Sequence, residues 1–219
     1  MTLSGAQKNG LVFFSLFAGV QIFYAKTWQA GFVTDFTGLQ ERLEGAPLLG
    51  FLDSFGFPAM HQVTNFFLWF LYKLFGTWGL PWHLVFTSLH VLNGFLGYLL
   101  MRKILSRCGF AEPDWATLAG VALFVFSPYA VETVVWRVSF GFLFCSTMGL
   151  ASLWQLALFL ENGRRKHLFL THGFFVVALF SFELALVLPV MAFILATFYP
   201  KLTGGNSMPP EKIFEKNFL

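Results

Sequence analysis

Three carboxylates and one guanidinium stand out because the chain around them is apolar. Asp35 follows the apolar run at residues 10–25, Glu132 and Arg137 interrupt LFVFSPYAVETVVWRVSFGFLF, and Glu183 sits inside the apolar block that runs from Leu168 to Tyr199. A charge held in hydrocarbon costs about 2.5–3.5 kcal/mol on insertion scales, so each of these residues is a site hypothesis by default. Asp35, in a loop close to a membrane surface, has the chemistry of a general base towards an acceptor hydroxyl, or of a ligand to a divalent cation. The same residue would also serve as a turn or helix cap. Glu132 and Arg137 are five apart and do not share a face of one continuous helix, but they can meet across a turn. There they would either cap a loop at the outer surface or line an outward-facing polar cavity. Glu183 at the tip of a hairpin would lie near water and cost little.

His83 and His90 are seven apart and fall on one helical face, with Asn93 continuing the stripe. Haem or pigment ligation by this pair would need a partner helix. Histidines that hydrogen-bond across a helix–helix contact explain the pattern with fewer parts.

The elements that must position these residues are membrane elements. The 219 residues are 57% hydrophobic and 11% charged, against about a quarter charged in soluble domains. The formal charge of +3 does not point to nucleic acid, because the basic residues cluster at the ends of apolar runs instead of forming a stripe. Cys108 and Cys145 have no metal-site or disulfide-framework spacing. The first apolar run lacks the small residues of a cleavage site and reads as an uncleaved anchor.

A long loop containing Asp35, Glu41, Arg42, Glu44 and Asp53 follows the first run. HQVTNFFLWFLYKLFG, from His61 to Gly76, is too short to cross and reads as an interfacial helix. Residues 81–107 make a full span ending in Arg102, Lys103 and Arg107. A third run, from Trp115 to Ser127, is only about 20 Å long as helix, which requires a thinned bilayer or a watery cavity near Pro128. A fourth runs from about Val138 to Leu160. The 32-residue block that follows is either one helix with a large tilt or, as the basic residues at both ends favour, a hairpin turning at Ser181–Glu183. With the N-terminus inside, ten of the 14 Lys and Arg residues fall on the inner side, and Asp35, Glu132 and Glu183 fall on the outer. The expected fold is therefore all-α and polytopic, with about six transmembrane helices over residues 1–200. A polar cytoplasmic tail follows at 201–219. The expected location is a cell membrane, specifically a bacterial inner membrane, with the N-terminus cytoplasmic.

In order along the chain, these segments resemble the GT-C superfamily of membrane glycosyltransferases, and most nearly its protein O-mannosyltransferase-like members. The likeness rests on Asp35 in FVTDFTGL, the helix ending in LFG, and GLPWHLVFTSLHVLNGFLGYLLMRKI with His83, His90 and Asn93. It rests also on Pro128, Glu132 and Val134 matching an H-P-x-x-x-E-x-V segment, and on Ser181, Glu183 and Pro189 matching S-K-E-x-x-x-x-x-P. The resemblance covers about residues 10–200. It implies a GT-C-like core that transfers sugar from a polyprenyl-phosphate-linked donor at the outer face. Asp35 would be the catalytic base, with His61, Glu132, Arg137 and Glu183 binding donor or acceptor. The sequence departs from the pattern where Phe36 replaces a second acid, Ser127 a histidine and Phe182 a lysine. Relatives also continue with further spans. These departures keep a second expectation open: a non-catalytic subunit with the same fold, partnered by other membrane proteins.

Overall fold

The computed structural model describes residues 4–28, 35–45, 47–51, 61–110 and 113–202. Among the described residues the chain is all-α, with nine α-helices. These are α1 (Gly5–Phe23), α2 (Asp35–Gly45), α3 (Gln62–Phe75), α4 (Gly79–Arg107), α5 (Pro113–Val125), α6 (Val131–Val135), α7 (Phe140–Asn162), α8 (Arg165–Leu179) and α9 (Leu188–Leu202). The expected tail at 201–219 lies almost wholly outside the described residues.

Six of the helices alternate in direction. Asn9 meets Arg102 and Gln21 meets Thr87, so α1 runs antiparallel to α4. His90 meets Val125, and Gly120 faces Met101, which makes α5 antiparallel to α4. Asn93–Leu143 and Lys103–Glu161 align α7 with α4. Ser152–Thr171 and Cys145–Phe182 set α8 against α7. Gly149 against Leu188 and Glu161 against Tyr199 bring α9 back parallel to α7. The 32-residue apolar block is thus a hairpin whose arms both pack on α7.

Two of these segments, Gly79–Arg107 and Arg137–Asn162, are long and apolar enough to cross a membrane. A third is added if Asp114–Val125 and Pro128–Val135, bent by 47°, count as one span. The 15 residues of α8 extend about 22 Å at 1.5 Å each, short of a core of about 30 Å.

Local chemistry explains the ends of the elements. Ser4 and Gln7 form a reciprocal capping box at the start of α1. Gly163 closes α7 in the left-handed region at φ +63°, so α8 can begin two residues later. At Pro128 the chain bends instead of reversing, because Ser127 is extended, its hydroxyl accepts from the Tyr129 amide, and Pro128 starts a new helical turn. The reversal comes later, at Trp136, which is extended and leads into a short helical turn at Arg137–Ser139.

One end of the bundle is held by ions. Glu161 accepts from Lys103 (2.6 Å), Arg107 (3.0 Å) and Tyr199 (2.6 Å), tying α4, α7 and α9 together. At the other end α3 lies crosswise, with its first turn against the α8–α9 reversal and its last residues beside Trp82 at the start of α4.

The α4–α5 contact is close, since a Cβ on Gly94 would collide with Val125 Cγ2. Gly94→Ala should therefore destabilise the chain by about 1–3 kcal/mol through overpacking. Chemical unfolding in detergent, with the conservative Gly97→Ala as reference (open space around its Cβ), measures this directly.

Candidate functional site

The singled-out residues converge on the end of the bundle that α3 crosses, but they do not form one cluster. Arg137 has the most unusual environment. Its side chain is 2% exposed, and its guanidinium lies over the Phe86 ring at 5.2 Å. Nε, Nη1 and Nη2 have no hydrogen-bond partner among the described residues. A guanidinium cannot shed its charge in a protein, and burying it unpaired costs several kcal/mol. The cation–π contact recovers about 2 kcal/mol at most. The chain forces this burial because Trp136 and the Arg137–Ser139 turn redirect the backbone into α7, with Ser139 and Phe140 buried beside it.

Helix α2 packs against this same turn. Asp35 is its first residue; the position of the Asp35 side chain lies outside the described residues, as do Asp53 and the Arg42 side chain. Glu132 is exposed on α6 and does not pair with Arg137. The two charges expected to meet across the turn are therefore apart: Glu132 faces out and Arg137 faces in.

His61 and Glu183 form the second arrangement. His61 Nε2 is 2.9 Å from Glu183 Oε2, and the imidazole stacks on Phe182 at 5.0 Å with an interplanar angle of 5°. Beneath this pair the reversal of the chain leaves three backbone carbonyls outside regular helix. Phe180 O accepts from the Val63 amide at 2.9 Å, Ser181 O from Thr64 Oγ1 at 2.6 Å, and Phe182 O weakly from Cys145 Sγ at 3.7 Å. The hydrogen bond from His61 holds the Glu183 carboxyl below the usual carboxylate range.

The two α4 histidines are engaged by the protein. His83 has Thr27 Oγ1 and Gln21 Oε1 each at 3.2 Å from its two ring nitrogens. His90 donates from Nε2 to Val125 O at 2.9 Å, which fixes the proton on that nitrogen. Among the described residues no three His, Cys, Asp or Glu side chains are gathered as a metal site would need.

Two residues with structural roles here carried little weight in the sequence. Gln21 bridges His83 and Thr87, and its signal was a lone amide in an apolar helix. Thr64 supports the reversal, but a threonine near the start of a helix gives no signal that separates it from an ordinary surface residue.

Comparison with protein-family models, curated proteins and solved structures finds no match to this chain.

Because the Glu183 carboxyl is shifted down, its pairing with His61 stabilises the folded state above the ordinary carboxylate range. That contribution is lost as pH falls through the lowered value. The Val63 amide should accordingly exchange hydrogen faster, relative to amides in mid-α7, once pH falls below the ordinary carboxylate range. Glu183→Gln should flatten this dependence, and an unchanged acid limb in that variant would remove Glu183 as its cause.

Proposed function

We propose that this chain is a membrane-embedded domain of the GT-C kind, with six crossings and α3 lying at the outer interface. It binds a polyprenyl-phosphate-linked sugar there for transfer to an acceptor. The observation that carries this reading is the buried Arg137 guanidinium, which has all three nitrogens without a partner among the described residues. A phosphate ester is the complementary group, because its oxygens accept from the planar fork in pairs and neutralise the charge. The start of α2, where Asp35 stands, belongs to the helix packed on the same turn. In this reading Asp35 takes the proton of the acceptor hydroxyl while Arg137 holds the phosphate that leaves. α2 then works as the element that brings base and cation together. A divalent ion bound through Asp35 would add to the charge facing the phosphate.

A specific observation also favours the second reading, a non-catalytic subunit of a membrane complex. Glu132 is exposed and Glu183 is committed to His61, so neither carboxylate joins Arg137. A phosphate site kept without a complete acid–base set would bind a lipid-linked donor or simple polyprenyl phosphate without turning it over. Binding and transfer therefore need separate tests.

Arg137→Gln should weaken binding of a polyprenyl monophosphate by about ten- to a hundredfold, the equivalent of losing 1.5–3 kcal/mol of charge-assisted hydrogen bonding. Arg137→Lys should recover part of it. Equal affinities for wild type and Arg137→Gln would end the phosphate assignment. Asp35→Asn should leave that affinity within a few-fold of wild type and abolish sugar transfer. Affinity without transfer in the wild-type chain itself would decide for the subunit reading.

A further inference from the structure

A groove on the α5–α7–α9 side of the bundle holds a different kind of chemistry. Its upper part is a cavity of about 340 Å³ with a neutral polar lining that includes His90, Asn93, Ser127, Thr133 and Ser146. Its lower part, about 270 Å³, is apolar and runs between α7 and α9 past Leu150, Leu153, Leu188 and Met191. Asn93, Phe124, Ser146 and Leu184 line both, so the two parts are continuous. No Lys, Arg, Asp or Glu lines either one, and Arg137 is not in the groove.

Asn93 marks what the groove lacks. It is 2% exposed. Its amide nitrogen donates to Leu143 O at 3.0 Å, but Oδ1 is buried with no partner among the described residues. A buried acceptor left unmet costs about 1–3 kcal/mol. Only a donor, an O–H or N–H, can meet it. The side towards the bilayer is apolar, since Leu184, Val187 and Met191 are each 45–50% exposed along the rim. A ligand can enter there sideways, tail first, without crossing water. The volumes lie at the lower end of those of small-molecule sites.

We propose that this groove is a binding site for an uncharged single-chain amphiphile, such as a long-chain alcohol. The hydroxyl donates to Asn93 Oδ1, and the hydrocarbon chain lies between α7 and α9. The absence of lining charge excludes a phosphate or carboxylate head, because such a group would be desolvated without a counter-ion. The site goes beyond the donor reading and stands on its own observations. Two chemically distinct lipid sites then flank α4 and α7, one for a phosphate at Arg137 and one for a neutral hydroxyl at Asn93.

The test uses the full chain in phosphatidylcholine nanodiscs with a long-chain alcohol that carries a photoactivatable diazirine in its tail. The same tail bearing a monophosphate, and the same tail capped as a methyl ether, serve as comparison probes. Labelled peptides are mapped by mass spectrometry. The alcohol should label α7 and α9 peptides about tenfold more than either comparison probe, as one unmet hydrogen bond predicts. Ser146→Phe, which fills the junction of the two parts, should remove that labelling, whereas Ser146→Ala should retain it. Equal labelling of the wild-type chain by all three probes would overturn the proposal, since it would make the groove an ordinary lipid-facing surface. Stronger labelling by the monophosphate would overturn it as well. The wild-type comparison holds whether or not the Phe variant folds.

Discussion

Three backbone carbonyls, those of Phe180, Ser181 and Phe182, constrain the arrangement of the end of the bundle where the candidate site lies. The chain reverses there over Ser181–Glu183, which holds neither Gly nor Pro, through an extended Phe182 (φ −166°, ψ 151°). Such a reversal strips carbonyls of their helical partners, and those that are buried must be met by other donors. Two of the three take donors from α3, the Val63 amide and the Thr64 hydroxyl, whereas Phe182 O accepts from the Ala185 amide at 3.1 Å and weakly from the Cys145 thiol of α7. A helix N-terminus has amides to give, and the reversal has carbonyls to fill. This fixes α3 across the end of the bundle. It also keeps position 141 small, since a Cβ there would sit 3.1 Å from Thr64 Oγ1 and 3.3 Å from Ser181 O. The first turn of α7 is thereby pinned, only four residues beyond Arg137.

The two ends of the molecule are stabilised by different physics. At one, Glu161 gathers two cations and the Tyr199 hydroxyl, while Lys103 also lies over the Trp154 ring at 5.1 Å. At the other, hydrogen bonds to backbone, aromatic stacking and close glycine contacts do most of the holding. The division follows the charge distribution of the sequence, whose cations collect at the first end. It leaves at the second end a buried cation, Arg137, whose nitrogens have no hydrogen-bond partner among the described residues.

The sequence disclosed elements better than partners. Apolar runs closed by basic clusters located α4 and α7, the shortness of residues 61–76 set α3 apart, and the length of residues 168–199 with basic residues at both ends favoured a fold back over one tilted helix. Each of those inferences uses a property of one segment. The hydrogen bond between His61 and Glu183 joins residues 122 positions apart, and nothing in either segment names the other. The burial of Arg137 was likewise hidden, because a turn between it and Glu132 left open that the two would meet, whereas the extended Trp136 turns them in opposite directions. Pro128 announced a break but not its angle, which depends on the Ser127 cap. Asn93 was visible as part of a polar stripe, though its free oxygen depends on where the Leu143 carbonyl falls.

The pairing of α3 with the α8–α9 reversal also has an order in time. Thr64 and the Ser181 carbonyl are 117 residues apart, and the ribosome adds residues at about 5–20 per second. For several seconds after its synthesis, α3 has no reversal to cap, and its leading amides must find other partners. Meanwhile α7 and α8, joined by the two-residue Gly163 turn, can associate as a local hairpin as soon as both emerge. The end that α3 crosses therefore closes last, when residues 180–182 arrive, and until then the bundle stays open on that side.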